Sequence, residues 1–269
     1  MTTKLVICDI DATLVNEKKE LTQRTKEALI KLHEKGVYFG IASGRPVDEL
    51  KRNKVYWDLP FDFDFVMGMN GAELWDGVHQ KFYSYFMMKK EWLKETMEIM
   101  NVVECNPMIY WDGKIRCVHI DDWMIHSAST SHKELEVVKL EDFYAHENAK
   151  IMFRMKEEDM PKAEAWVKEH PNPYYHGFKT QTTLLEFCDK RINKGYGLQK
   201  ICELNNINLK DVMAFGDTSN DNDMLKVAGC GVCMINGTDD TKACADAITK
   251  RDNEHDGLAI YLEESGILC

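Results

Sequence analysis

The sequence predicts an α/β protein in which a doubly wound parallel sheet is interrupted by a smaller inserted module. Two observations predict this fold. Continuous apolar strands alternate with amphipathic helices at both ends of the chain, which is the pattern of a parallel sheet covered on both faces. Between about residues 83 and 188, helices mix with antiparallel strand signals, which is typical of an α+β module. A chain of 269 residues is long enough for both units.

The first eighty residues predict the start of a β-α-β arrangement. The segment KLVICDID (4–11) reads as a buried strand that ends in two carboxylates. In LTQRTKEALIKLHEKG (21–36) apolar residues recur at helical spacing, Thr22 can cap the helix, and Gly36 can end it. The segment VYFGIASG (37–44) predicts a second buried strand.

The middle of the chain predicts the α+β module. Its clearest signal is Asp112-Gly113, a two-residue turn that joins two strand-like halves of a β-hairpin. Helices are predicted over KKEWLKETMEIM (89–100) and MPKAEAWVKEH (160–170), and strands over KIMFRM (150–155) and TTLLEF (182–187).

The β-α pattern resumes after Lys190. The predicted elements are a helix over KGYGLQKICELNNI (194–207), a strand over VMAFGD (212–217), a helix over NDNDMLKVAG (220–229) and a strand over GVCMING (231–237). The predicted domains are therefore a core made of residues 1–82 and 189–269, with an inserted domain of residues 83–188.

Polar residues follow four of the predicted core strands. In open α/β sheets, ligands collect at the carboxyl ends of the strands, so these residues are expected to converge. The four groups are Asp9 with Asp11, Ser43-Gly44-Arg45, Asn70-Gly71-Ala72, and Asp217 with Asn220 and Asp221.

The acidic residues of these groups predict a metal site. Four carboxylates in one crevice repel one another unless a divalent cation lies between them. Oxygen ligands without a nearby His or Cys indicate Mg²⁺. Lys194 supplies a cation, Arg45 a possible second one, and Ser43 a hydroxyl near a predicted helix start. Together these groups suit one phosphoryl group.

Four segments carry a family resemblance: DIDATLV (9–15), IASGRP (41–46), INKGYGL (192–198) and GDTSNDNDML (216–225). They have the order and spacing of the four motifs of the haloacid dehalogenase-like superfamily. With Asn70-Gly71-Ala72 and the inserted module, the chain resembles the Cof-type subfamily IIB phosphatases. The resemblance implies a Rossmann-like core, an α+β cap domain that sets substrate specificity, an Mg²⁺ cofactor, and a small phosphorylated metabolite as substrate.

The resemblance also implies residue roles. Asp9 becomes the nucleophile that forms an aspartyl-phosphate, and Asp11 the general acid and base, whose backbone carbonyl also binds the metal. Ser43 and Lys194 complete the catalytic set. The implied metal ligands are Asp9, Asp11, Asp217 and Asp221, and the implied phosphate- or substrate-binding residues are Ser43, Gly44, Arg45, Asn70, Lys194 and Asn220.

Two positions depart from the family pattern. Residue 12 is Ala where this branch usually has Gly, and Thr218 follows Asp217 where Gly is common. Because Gly is favoured where φ is positive, we expect Ala12 to strain the turn after the nucleophile.

Several alternatives stay open from the sequence. Ser43 can be the N-cap of a helix after Pro46, Asp221 can cap its own helix, Asn70 can form a turn with Gly71, and Arg45 can be an ordinary exposed arginine. A phosphomutase or other phosphotransferase on the same core, and a module that binds a phosphate ligand without catalysis, are the alternatives for function.

Composition excludes other classes of partner. The formal net charge is −11, with no cluster of basic and aromatic residues, which argues against nucleic acid. No run of eighteen apolar residues and no signal-peptide pattern occurs, which argues against a membrane. Nine cysteines in apparently buried segments predict free thiols and a cytoplasmic protein. The oligomeric state and the identity of the substrate stay open.

Overall fold

The structure is a computed structural model that describes residues 3–269. Within these residues the strands are β1 (Leu5–Asp9), β2 (Tyr38–Ala42), β3 (Phe65–Gly68), β4 (Glu73–Asp76), β5 (Lys81–Ser84), β6 (Cys105–Trp111), β7 (Lys114–Cys117), β8 (Leu135–Val137), β9 (Lys150–Met155), β10 (Tyr175–Gln181), β11 (Leu184–Asp189), β12 (Val212–Gly216), β13 (Cys230–Cys233) and β14 (Ala247–Ile248). The helices are α1 (Gln23–Glu34), α2 (Val47–Leu50), α3 (Asn53–Tyr56), α4 (Lys90–Ile99), α5 (Asp122–Ser131), α6 (Met160–Glu169), α7 (Lys194–Asn205), α8 (Asn222–Val227), α9 (Asp239–Cys244) and α10 (Gly257–Glu264).

The chain forms two compact units. One contains the residues up to Tyr83 together with Ile192–Cys269, and the other contains Ser84–Arg191. The division lies one residue after the first sequence-based boundary and three residues after the second. Residues 1 and 2, which the sequence-based core includes, lie outside the described part of the chain.

The first unit is built on an eight-stranded sheet with the order β14-β13-β12-β1-β2-β3-β4-β5. The pairs from β14 to β3 are parallel, and β4 pairs with β3 in the antiparallel direction. From β1 the chain continues to β2 and β3 on one side, whereas β12 and β13 lie on the other. The carboxyl ends of β1, β2, β3 and β12 therefore meet at one edge, where the strand order reverses.

Both faces of this sheet are covered. Every residue of β1 is buried, as expected for a central parallel strand. On one face Val6 and Cys8 belong to a cluster that includes Leu29 of α1 and Leu258 of α10. On the other face α7 packs closely, because a side chain at Gly197 would meet the Met67 sulfur at 2.7 Å. The predicted doubly wound α/β fold is confirmed.

The second unit has a six-stranded sheet with the order β10-β11-β9-β6-β7-β8. All the pairs are antiparallel except β7 with β8. Helices α4 and α6 pack on one face against Ile151 and Phe153, and α5 packs on the other through Met124. The hairpin turn between β6 and β7 has positive φ at both Asp112 (48°) and Gly113 (74°), as a type I′ turn requires.

Helix boundaries differ from the sequence-based expectation near residue 220. The segment NDNDMLKVAG was expected to be one helix, but Ser219–Asp221 forms a separate turn and α8 begins only at Asn222. Hydrogen bonds from the Asp217 and Thr218 amides to the Asp221 carboxylate define that turn. Helix α1 begins as expected, since the Thr22 hydroxyl accepts the Thr25 amide proton.

In the part of the chain that the structure describes, no helix is long and apolar enough to span a bilayer. The nine cysteines are free thiols.

The loop after β3 has an unusual backbone. Met69, Asn70 and Gly71 have φ values of 50°, 54° and 103° in succession. At Gly71 a Cβ atom would lie 2.6 Å from the Asn193 carbonyl oxygen, just before α7. The absence of a side chain at Gly71 therefore allows this loop to pack against the start of α7.

We expect Gly71→Ala to destabilise the protein by about 2 kcal/mol or more, because it adds a backbone clash to the cost of a left-handed residue. Gly36→Ala is the matched control: its φ is 73°, but nothing lies within 4 Å of the added Cβ. The control should cost about 1 kcal/mol. Urea unfolding followed by circular dichroism measures both, and equal losses would contradict the packing argument.

Candidate active site

Lys194 occupies the centre of the converging strand ends. It is the first residue of α7, and its ammonium group is fully buried. It lies 2.5 Å from an Asp9 oxygen and 2.6 Å from an Asp221 oxygen. Burial lowers the pKa of Lys194, but the two carboxylates outweigh it and leave the pKa above the ordinary value. The ammonium is therefore charged and joins the first strand to the turn after β12.

Three carboxylates surround one small volume at this edge. Oxygen atoms of Asp9, Asp217 and Asp221 all lie within 4.8 Å of one another. Burial, followed by the charges of Asp221 and Asp217, raises the pKa of Asp9 to about 8 despite the opposing effect of Lys194. Burial and Asp221 likewise raise the pKa of Asp217 to about 6. The cluster carries more negative charge than Lys194 balances.

The donor set fits Mg²⁺. Three ionised carboxylates and one ammonium leave a net charge of −2, which a divalent cation neutralises. All the available ligand atoms are oxygens, as Mg²⁺ prefers. Of the ligands that the sequence predicted, Asp9, Asp217 and Asp221 are together, whereas the Asp11 side chain is outside this group.

Thr13 belongs to the site, although sequence reasoning assigned it no role. Its hydroxyl donates a 3.0 Å hydrogen bond to Asp217 Oδ1. This bond lowers the pKa of Asp217, opposing its burial. The sequence could have indicated this contact, because Thr13 is the one hydroxyl residue in the otherwise apolar run from Ala12 to Val15. A buried hydroxyl requires a hydrogen-bond partner.

The Asp11 carboxylate is held by two cations. Arg45 Nη2 donates to both of its oxygens, at 3.1 and 2.8 Å, and Lys19 Nζ donates to Oδ1 at 2.8 Å. Burial acts to raise the pKa of Asp11, but Arg45 and Lys19 outweigh it and hold the pKa below its usual range. The sequence singled out Arg45 for a phosphate or substrate contact, and the structure places it against Asp11. Lys19 was not singled out.

Ser43 joins the second and third strand ends. Its amide donates to the Met67 carbonyl, and its own carbonyl accepts from the Asn70 amide. Its hydroxyl accepts a 3.3 Å hydrogen bond from the Arg45 amide. The alternative in which Ser43 caps the next helix is wrong, because α2 begins at Val47 with Pro46 at the N-cap position.

Asn70 and Asn220 approach each other from separate loops. Asn220 Nδ2 donates to Asn70 Oδ1 at 3.4 Å, and the Thr218 hydroxyl donates to Asn220 Oδ1. The side-chain amide of Asn70 also lies beside Gly44. A Cβ atom added at Gly44 would be 3.4 Å from its nitrogen and oxygen. The three loops therefore meet at one place.

The Asp221 side chain makes no capping bond to α8, and each of its oxygens has another partner in the site. One oxygen accepts from Lys194, and the other accepts from the amides of Asp217 and Thr218. Gly216 leaves room for this arrangement, since a Cβ there would lie 2.4 Å from the Asp221 Cβ. The second departure from the family pattern has no backbone cost, because Thr218 is extended with φ of −127°.

Ala12 adopts the left-handed conformation that the sequence led us to expect, with φ of 57°. Its carbonyl oxygen accepts a 2.8 Å hydrogen bond from Asn236 Nδ2. A non-glycine residue in this region costs about 1–2 kcal/mol. The turn between the nucleophile candidate and Thr13 therefore stores strain.

Comparison with known proteins gives consistent matches over nearly the whole chain. Residues 6–262 match the model of a family described as haloacid dehalogenase-like hydrolase. The chain is 30% identical to 5-amino-6-(5-phospho-D-ribitylamino)uracil phosphatase YcsE of Bacillus subtilis, covering 95% of this chain and 93% of that protein. It is 27% identical to YitU, a second 5-amino-6-(5-phospho-D-ribitylamino)uracil phosphatase of the same organism, covering 97% of this chain and 96% of that protein. A haloacid dehalogenase-like hydrolase from Bacteroides thetaiotaomicron superposes with a TM-score of 0.87 at 25% identity, covering 98% and 100% of the chains.

We expect Ala12→Gly to stabilise the protein by about 0.5–1 kcal/mol, because it removes a Cβ from a left-handed position. Ala28→Gly is the matched control. It lies inside α1 and is buried, so it should destabilise by about 1 kcal/mol. Urea denaturation of both variants measures the effect, and destabilisation by Ala12→Gly would show that residue 12 is unstrained.

The raised pKa values of Asp9 and Asp217 predict a pH-dependent effect of Mg²⁺. From about pH 4 to pH 8 the folded metal-free protein retains protons that the unfolded chain has lost, so these two groups make it less stable as pH rises. Mg²⁺ at this site would bind the ionised carboxylates, so we expect its stabilising effect to grow over the same interval.

Differential scanning calorimetry with EDTA or with excess Mg²⁺ measures this effect. We expect the Mg²⁺-dependent rise in Tm to be about 5 °C at pH 8 and much smaller at pH 5. Asp217→Asn should reduce the rise at pH 8, whereas Asp58→Asn, which changes an exposed carboxylate, should not. An equal Mg²⁺-dependent rise in Tm at pH 5 and pH 8 would contradict the assignment of Asp9 and Asp217 as metal ligands with raised pKa values.

Proposed function

Because the chain belongs to the haloacid dehalogenase-like hydrolase family, we propose that it is an Mg²⁺-dependent phosphomonoesterase that acts through an aspartyl-phosphate. Relatives that match over nearly the whole chain are named phosphatases. The single observation that carries the proposal is the cluster of Asp9, Asp217 and Asp221 around the buried Lys194 ammonium. The proposed substrates are small phosphorylated metabolites.

Asp9 is the proposed nucleophile. A carboxylate oxygen attacks phosphorus, the bond from phosphorus to the ester oxygen breaks, and the electron pair leaves with that oxygen. Bound Mg²⁺ supplies positive charge that keeps the Asp9 carboxylate ionised and offsets the charge of the phosphate. Residues proposed to hold the ion are Asp9, Asp217, Asp221 and the backbone carbonyl of Asp11.

Lys194 and Ser43 are proposed to bind the phosphoryl oxygens. The Lys194 ammonium already lies 2.5 Å from Asp9, so a phosphoryl group on Asp9 would be within its reach. The Ser43 hydroxyl is nearly buried on the neighbouring strand end, where Ala42 pairs with Asp9. Asn70, Asn220 and the backbone at Gly44 form the adjoining surface and are proposed to orient the substrate.

Asp11 is the proposed general acid and base. In the first step it gives a proton to the leaving oxygen, and in the second it takes a proton from the water that attacks phosphorus and releases phosphate from Asp9. The contacts with Arg45 and Lys19 favour the ionised form that the second step requires. We propose that an arriving phosphate dianion attracts Arg45 and weakens its contact with Asp11, so that Asp11 can carry the proton for the first step.

The inserted unit is proposed to act as the cap that selects the leaving group. Two of the relatives are named for a phosphorylated ribitylaminouracil and one for pyridoxal phosphate. These names make sugar-alcohol and cofactor phosphates the first compounds to screen. We propose a cytoplasmic location on the basis of the nine free cysteines.

We expect Asp9→Asn to reduce the rate of phosphate release by at least about a thousandfold while the protein stays folded, because an amide cannot form the acyl phosphate. Inorganic phosphate released from p-nitrophenyl phosphate in the presence of Mg²⁺ measures the rate. Asp58→Asn is the matched control with full activity, because that carboxylate is exposed and its ion-pair partner is Lys26 of α1. Turnover by Asp9→Asn at the wild-type rate would exclude Asp9 as nucleophile.

A further inference from the structure

The turn from Asn16 to Glu20 holds Lys19 in a defined conformation. Lys19 has φ of 64°, which is unfavourable for a residue with a side chain. Its amide donates to the Asn16 carbonyl, and the Asn16 side chain accepts from the Glu20 amide at 2.9 Å. The buried Trp57 indole donates to the Lys19 carbonyl oxygen. These bonds fix a strained backbone at a residue whose side chain extends to Asp11.

Lys19 differs from Arg45 in how its charge is balanced. Arg45 lies between two carboxylates, those of Asp11 and Glu49. Within residues 3–269, Lys19 forms an ion pair with Asp11 alone, and its side chain is 61% exposed. The ammonium has three donors, so it can bind a further acceptor. In the ligand-free site Arg45 also contacts both Asp11 oxygens, so that carboxylate does not depend on Lys19 alone.

The position of Lys19 places it close to the leaving group. Asp11 hydrogen-bonds the leaving oxygen in the proposed reaction, at about 2.7 Å. Lys19 Nζ lies 2.8 Å from the same carboxylate. When the leaving oxygen bonds Oδ1, the atom that accepts from Lys19, the ammonium is no more than about 5.5 Å from it. A group attached to the carbon that bears this oxygen falls within direct reach of Lys19.

We infer that Lys19 binds an anionic group, such as a carboxylate, on the carbon that carries the scissile phosphate. An ammonium gives its strongest hydrogen bonds to an anion. The inference rests on the proposed phosphatase activity and extends it, because it assigns to the core unit a preference for phosphate esters of hydroxy acids. Substrate selection then does not depend on the inserted unit alone.

Two substrates that differ at one group test the inference. 2-Phosphoglycerate has a carboxylate on the phosphorylated carbon, and glycerol 2-phosphate has a hydroxymethyl group in its place. We expect the intact protein with Mg²⁺ to favour 2-phosphoglycerate about tenfold in kcat/KM. Lys19→Met should bring the ratio close to one, and Lys19→Arg should retain most of it. Lys18→Met, which removes the neighbouring exposed lysine, is the matched control and should leave the ratio unchanged.

Each other outcome overturns the inference. If the ratio of kcat/KM for the two substrates is the same in the wild type and in Lys19→Met, Lys19 does not contact the anion. If both proteins still hydrolyse p-nitrophenyl phosphate, the phosphatase proposal survives that result. An equal loss in Lys18→Met indicates a general charge effect. A wild-type preference for glycerol 2-phosphate indicates a site for hydroxyl groups. No phosphate release from any of these compounds, p-nitrophenyl phosphate included, ends both proposals.

Discussion

The site depends on one buried ammonium group, that of Lys194, between the carboxylates of Asp9 and Asp221. A buried charge is tolerated only when opposite charges compensate it, and here two carboxylates do so at 2.5 and 2.6 Å. The same contacts join β1, the start of α7 and the turn after β12. The group that the first strand presents for chemistry is thus fixed by residues about two hundred positions later in the chain.

The remaining charges follow from this arrangement. One ammonium cannot balance three carboxylates, so Asp9 and Asp217 retain raised pKa values in the metal-free protein. The proposed divalent cation would neutralise this excess negative charge. Asp11 has the opposite environment, because Arg45 and Lys19 favour its ionised form. Two aspartates separated by one residue therefore have pKa values shifted in opposite directions. A nucleophile must be ionised and a general acid protonated, so the proposed roles need Mg²⁺ to ionise Asp9 and a substrate phosphate to draw Arg45 away from Asp11.

Much of this organisation was predictable from the sequence, for physical reasons. Runs such as LVIC and VMAFG are buried on both faces, as central strands of a parallel sheet are. Polar residues at the strand ends then had to share one edge. The sequence did not predict strand β10 or helix α5. In β10, polar residues and Gly177 obscure the alternation of a strand, and in α5, several Ser and Thr residues obscure the apolar spacing of a helix. The contact of Thr13 with Asp217 depends on side-chain direction, and that of Lys19 with Asp11 depends on a left-handed turn. The spacing of residues along the sequence reveals neither.

The position of the first strand has a consequence for how the protein is made. In the finished sheet β1 lies between β2 and β12, and Leu5 pairs with Val212. On the ribosome, one backbone edge of this apolar strand stays unpaired until more than two hundred residues have been translated. An exposed apolar edge readily pairs with other chains. The nascent protein therefore has an apolar strand edge open to aggregation while the roughly two hundred residues between β1 and β12 are made.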